Sequence, residues 1–174
     1  FEMTRHLIAL GHRRFGLLSA VTEGNDRSTE RGAGMRAALA QAGIALDKRC
    51  VQYGAIDLAA AAAMMRRILA LKKRPTAIVS TNDVFAVGGM IACREQGVRI
   101  PDDLSITGVD NTDLGATQTP GLTSIRTPII EIGRAAAEQV IARLEGRPHV
   151  PFQMLPFELV TRGSTAPPRR TKPA

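Results

Sequence analysis

A parallel, doubly wound α/β sheet with helices on both faces is the fold this chain predicts, and three observations predict it. Strand-length apolar runs alternate with helical stretches four times up to Val109, the pattern that builds βαβ units. The joints are short and closed by glycine, at Gly11, Gly43 and Gly97, where a left-handed helix cap is expected. Two of the strand segments, TAIVSTND from Thr76 and PDDLSITGVDNTD from Pro101, run out into acidic and amide side chains. Open parallel sheets hold their ligands at that carboxyl edge.

Residues 3–10 predict an amphipathic helix with Leu7, Ile8 and Leu10 on its apolar side. Residues 15–19 predict the first strand, the polar run 22–26 a loop at its carboxyl end, and the stretch to Ala42 the second helix. A short strand follows at 51–53, then Asp57 as an N-cap and an alanine-rich helix through Met65 and Leu71. Alanine at that density predicts close packing. The third strand is expected at 77–80, a helix at 83–96 and the fourth strand at 104–109, with crossover handedness limiting the topology. Beyond Asp110 the rhythm changes to a loop through Thr119 and Pro120, a short extended piece LTSIRT, and a helix entered at Pro128 and ended by Gly146 and Pro148. The final extended piece, FQMLPFELVTR from Phe152, contains Pro156, which places it at an edge or breaks it. From Gly163 onward the composition predicts a tail.

The 174 residues are 44% hydrophobic, enough for a folded domain with a core. No apolar run reaches the roughly 18 residues of a membrane span, so a soluble chain without membrane contact is expected. The net charge of +7 comes from basic residues that read as scattered along helices and loaded at the end, at Arg162, Arg169, Arg170 and Lys172. With no dense basic helix or aromatic-interleaved stripe, this reads as a solvated surface rather than a nucleic-acid contact. Cys50, in an expected strand, and Cys93, in an expected helix, lack CxxC spacing and read as small apolar core residues in a reducing compartment. No metal-ligand spacing, Walker-type run or nucleophile paired with a base occurs, so no enzyme, metal or cofactor is expected. Phe1 opens inside what reads as the body of a helix, so the chain reads as a piece of something longer.

Five segments, GHRRFGLLSA from Gly11, TAIVSTND, PDDLSITGVDNTD, PGLTSIRTP from Pro120 and ELVTRGSTAPP from Glu158, together resemble the LacI/GalR family of bacterial transcriptional regulators. The resemblance covers the chain to about Ser164. It implies a periplasmic binding protein-like fold of type I, in which two similar subdomains joined by crossovers hold a small effector, a sugar or related metabolite, between them. Residues 1–121 would be the C-terminal subdomain. Residues 122–148 would be a returning strand and helix of an N-terminal subdomain otherwise missing, 149–164 the return to the first subdomain, and 165–174 a tail. The resemblance further implies a cytoplasmic homodimer that meets operator DNA only through an absent helix-turn-helix head. A periplasmic sugar-binding protein of a transport system shares the architecture and is the rival reading; GHRRF and RGSTAPP favour the regulator. Parted from its sheet, the helix from Pro128 should present Ile132, Val140 and Leu144 to another partner.

The same resemblance marks the residues that would meet the effector. Arg31 matches an arginine that reaches into the cleft with its planar fork of donors; by its residues alone it reads as a helix-surface partner of Glu30. Asn82 matches a residue that hydrogen-bonds the effector, and is equally an N-cap. Asp110 matches a carboxylate that accepts from sugar hydroxyls, or else it holds the loop 111–113. Arg27 stands one turn before Arg31 at the cleft mouth, with Asn25 and Asp26 as cleft or turn residues. Ile56 occupies a position where sugar-binding relatives often stack an aromatic ring, and with no Trp and 3% aromatic content this half lacks the usual hexose platform. Ile129 matches a cleft position or packs in a core. Dimer contacts are implied at Val87 and, in the loop 114–119, at Leu114 and Gln118.

Overall fold

The computed structural model describes residues 1–148, 150 and 152–169. In chain order the elements are α1 Glu2–Ala9, β1 Phe15–Ala20, α2 Asp26–Gln41, β2 Val51–Gly54, α3 Leu58–Leu69, β3 Ala77–Ser80, α4 Asp83–Glu95, β4 Ser105–Val109, α5 Asp113–Ala116, β5 Thr123–Arg126, α6 Ile129–Leu144 and β6 Glu158–Val160. Cys50, expected in a strand, instead ends a 3-10 turn before β2. The unpredicted α5 is a single turn capped by the Thr112 side chain, which accepts from Gly115 N. Pro156 has the expected effect, and only three residues of the last extended piece form a strand.

The sheet order is β2-β1-β3-β4-β5-β6, parallel except for the antiparallel β6. Successive strand residues point to opposite faces, which sorts the core in two. Leu17 and Val79 join Leu7, Met35 and Leu39 of α1 and α2 on one face. Leu18, Ile78 and Ile106 join Met65, Ile68 and Phe85 of α3 and α4 on the other. This is the doubly wound fold expected. From β1 the chain winds outward to β2 and then back to β3 on the other side, so a switch point opens at the carboxyl ends of β1 and β3.

Alanine and glycine bring α3 and α4 together. A Cβ on Gly88 would overlap that of Ala61 and lie 2.6 Å from the Leu58 carbonyl oxygen. Both cysteines are free and buried, and burial pushes the Cys93 thiol up to about 12, so it stays protonated.

Two expectations about the end of the chain are corrected. Ser124, assigned to a segment returning to another subdomain, is buried in β5 and registers with Gly108 of β4. The tail expected from Gly163 begins packed against the sheet. Ser164 is fully buried; its hydroxyl donates to the Ile106 carbonyl at 2.6 Å and accepts from Thr123 N at 2.8 Å. Its carbonyl accepts from Ile106 N. Hydrogen bonding to the sheet is what the composition of this segment does not reveal. Residues 170–174 lie outside the described residues.

Helix α6 leaves this packing. Of its side chains only Ala142 is buried, while Ile130 is 83% and Leu144 82% exposed. Val150 N donates to Gln139 Oε1 at 2.8 Å, so Val150 lies beside it. No helix among the described residues is long and apolar enough to cross a membrane.

His12 fastens the two ends of the chain together. It is 1% exposed; Nε2 donates to the Ala166 carbonyl and Nδ1 accepts from the Thr76 hydroxyl, each at 2.9 Å. Burial holds its pKa below the usual histidine range, opposed by the Ala166 bond and aided by the charge of His6. The unfolded chain therefore takes up the proton first as pH falls. Stability should be full above about pH 6.5 and decline as pH drops from there through the lower folded value. Urea midpoints at pH 7.5 and 5.5 are expected to show this fall, reduced in His12→Gln; an equal fall in the variant would contradict it. Gly88→Ala should cost about 2 kcal/mol through overpacking, read as a lower urea midpoint at unchanged slope.

Candidate functional site

Three connections deliver polar groups to the switch point. Asn25 caps α2 by accepting from Ser28 N, and the helix then carries Arg31 over the ends of β1 and β3. Arg31 Nη1 donates to the Thr81 carbonyl at 2.6 Å and Nη2 to Asp110 Oδ1 at 3.2 Å. Both side chains of this ion pair remain about a third exposed, 32% and 30%. Arg31 is thus paired with Asp110, 79 positions away, rather than with Glu30. Asn82, next to the acceptor Thr81, caps α4 by accepting from Phe85 N.

Asp110 sits in an uncommon backbone. Its φ is 101° and that of Asn111 is 52°, left-handed values that Asp and Asn tolerate better than most residues but at a cost. The loop is held from both sides. Asp83, 1% exposed, accepts from Thr112 N at 2.6 Å, Thr112 Oγ1 at 2.9 Å and Ser124 Oγ at 2.7 Å. Ser124 Oγ in turn accepts from Asn111 N. On the other side Arg162 donates to Asn111 Oδ1 at 2.7 Å and to the Leu122 carbonyl at 2.6 Å. Gly108 and Gly115 leave room for the buried carboxylate, since a Cβ on Gly108 would overlap Asp83 Oδ1 and one on Gly115 would lie 3.2 Å from Oδ2.

Beside Arg31 lies an apolar cavity of about 340 Å³, walled by Met35, Thr81, Val109, Ile125, Ile132 and Phe157 among others. It spans the carboxyl edge of the sheet and the start of α6. The remaining sequence candidates approach from separate elements. Arg27 is exposed in the first turn of α2, Ile56 is 54% exposed in the joint before α3, and Ile129 is 64% exposed at the start of α6. No polar contact joins Arg27 to the Arg31–Asp110 pair among the described residues.

One interface expectation is corrected. Val87 is 2% exposed and belongs to the core shared with α3, so its side chain is enclosed within its own subunit. Leu114 is 40% exposed on α5, and Gln118 turns its amide back to the Leu114 carbonyl at 2.8 Å. Sequence reasoning missed the roles of Asp83, which reads as half of a cap pair, and Arg162, which reads as a solvated charge. The GVDNTD wording, with an acidic and amide loop after a glycine-bearing strand, was the available signal.

A profile of the periplasmic binding protein-like domain family matches residues 4–165. The chain belongs to that family. Within it, the chain is of the LacI/GalR effector-binding type. It is 36% identical over 166 residues to the HTH-type transcriptional repressor PurR of Photobacterium profundum, covering 94% of this chain and 49% of the relative. A LacI family transcriptional regulator from Bifidobacterium animalis superimposes with a TM-score of 0.89 at 29% identity, over 97% of this chain and 60% of the other. The transcriptional regulator CelR in its cellobiose complex does so with a TM-score of 0.84 at 29% identity, over 92% and 49%. The chain spans about half the length of the curated relatives it matches.

Asp83→Asn turns an amide NH2 toward groups that already donate. The substitution should cost about 3 kcal/mol, because buried donors lose their acceptor. Denaturant unfolding reads the loss, and a change below about 1 kcal/mol, the worth of an ordinary hydrogen bond, would show that the network is not needed.

Proposed function

We propose that this chain is the C-terminal part of the sensor of a LacI/GalR-type transcriptional regulator about twice its length. Its effector is a small polyhydroxylated metabolite of the sugar class, bound at the carboxyl edge of the sheet. The observation that supports this most is the partly exposed Arg31–Asp110 pair at the switch point, tied to the Thr81 carbonyl. A guanidinium fork beside a carboxylate offers donors and acceptors together, which is what neighbouring hydroxyls of a polyol require. The likeness to CelR in complex with cellobiose supports the same class. Arg31, Asp110 and Asn82 are the assigned polar contacts, with Arg27, Ile56 and Ile129 lining the approach.

In this reading β5 and β6 stay with the C-terminal subdomain, and α6 alone reaches into the other half, which covers Ile130 and Leu144. The effector biases the relative closure of the halves through its differential affinity for the two closures, and only through that difference. A homodimer formed through the surface around Leu114 and Gln118 passes the change to operator-binding heads in the cytoplasm. The transport reading has less support: the relatives named above are regulators.

The reading frame upstream of Phe1 tests the assignment. It is expected to encode a helix-turn-helix and the first sensor half, whereas a charged and apolar leader with a small-residue cleavage site would overturn it. In the full-length protein, calorimetric titration with cellobiose and a panel of simple sugars should find a binder. Arg31→Ala should weaken that binder about 30-fold or more, the worth of about 2 kcal/mol in charge-assisted hydrogen bonds. Undiminished affinity would move the site elsewhere.

A further inference from the structure

The fold sorts charge between the two edges of its sheet. In a parallel sheet the strands begin at the edge where the helices end, so the joint at residues 72–75, between α3 and β3, lies opposite Arg31, Thr81 and Asp110. The residues between α1 and β1 bring Arg13 and Arg14 to the same edge. The two basic runs are joined side by side: Arg14 Nε donates to the Arg74 carbonyl at 3.1 Å, and Thr76 N donates to the Arg14 carbonyl at 2.9 Å. Arg14, Lys72, Lys73, Arg74 and Thr76 line a surface hollow of about 570 Å³ together with Asp103.

All five cations, Arg13, Arg14, Lys72, Lys73 and Arg74, are exposed. None has a carboxylate partner among the described residues. Asp103 does not neutralise them, being engaged by Arg99 at 2.9 Å and Arg169 at 3.5 Å. The carboxyl ends of α1 and α3 favour a nearby cation through the helix dipole, which accounts for one basic residue at each helix but not for the four that line one hollow. Basic residues that look dispersed along the sequence are here collected by topology.

We propose that this edge is a docking surface for the phosphate backbone of duplex nucleic acid, bound without sequence preference and independently of the effector edge. A protein partner is usually held by aromatic and apolar anchors in a desolvated centre. The hollow carries no aromatic side chain among its lining residues. Phosphates need only cations and backbone or hydroxyl donors, and those are what the edge presents. This contact lies outside the proposed function, which reaches DNA only through a separate head.

The test is fluorescence anisotropy of the 174-residue chain with a labelled duplex of arbitrary sequence. Binding is expected near 50 mM salt, with an affinity that falls with salt at a log–log slope of about three to five, one unit for each phosphate neutralised. The triple variant Lys72→Glu, Lys73→Glu, Arg74→Glu should bind at least about tenfold more weakly, as expected when three phosphate contacts are reversed. Reversing Arg134 and Arg143 on α6 and Arg147 just beyond it changes net charge equally and should leave binding nearly intact. Circular dichroism confirms that both variants fold. Absence of binding at low salt, or equal loss in the α6 variant, would overturn the proposal. So would a polyglutamate peptide that competes as well as DNA charge for charge, which would assign the edge to acidic proteins.

Discussion

A carboxylate kept from water at the start of α4 determines where the groups at the carboxyl edge of the sheet can be. Asp83 takes three hydrogen bonds, from the backbone and hydroxyl of Thr112 and the hydroxyl of Ser124. It thereby satisfies donors that burial would otherwise leave unpaired. The bare positions at Gly108 and Gly115 exist because the carboxylate occupies the space a side chain would need. Between these fixed points the chain passes through Asp110 and Asn111 in left-handed backbone, at a cost of order 1–3 kcal/mol for each such residue. The Asp83 and Arg162 contacts offset that cost, and the geometry they enforce turns Asp110 toward Arg31.

The alternation of apolar runs made most of the fold readable in advance. Residues 77–79 are continuous in hydrophobicity and 104–109 alternate Leu104, Ile106 and Val109 with small or polar residues, while Gly43 and Gly97 mark the ends of α2 and α4. Position 110 was legible as a candidate from its place at the carboxyl end of a strand, whereas position 31 was marked only by the family resemblance. Their contact with each other was not legible, since nothing local links residues 79 positions apart. The same limit hid Asp83. Two adjacent residues, Asn82 and Asp83, both suit an N-cap, and only the packing shows that Asn82 caps while Asp83 turns inward. Val87 was misplaced for a different reason. Helix α4 is apolar or glycine on most sides, with Phe85, Ala86, Val87, Gly88, Gly89 and Met90 all buried, so periodicity offers no outward face to choose.

Glycine and alanine decide the spacing on the far side of the sheet. With Gly88 against Ala61, the backbones of α3 and α4 approach closely enough that a methyl group is too large. Close approach leaves little freedom for one helix to slide on the other, and both helices pack on the strands whose ends carry Thr81 and Asp110. The rigid part of the molecule is therefore the layer behind the site. Helix α6, with one buried side chain, is the part whose position depends on what it meets.

Ser164 closes the seam between β4 and β5 at the edge where those strands begin, bonding Ile106 on one side and Thr123 on the other. The residues that follow it reach back to His6 and His12. During synthesis, then, a nascent chain that has already released all five parallel strands still holds a sheet with an open seam and a histidine without its carbonyl partner. Residues 165 and 166, which reach His6 and His12, emerge only after every strand of the sheet. Assembly of this sheet ends against its first helix, and a messenger cut short by a few codons before Ser164 would yield nearly every element of the fold without the contacts that lock it.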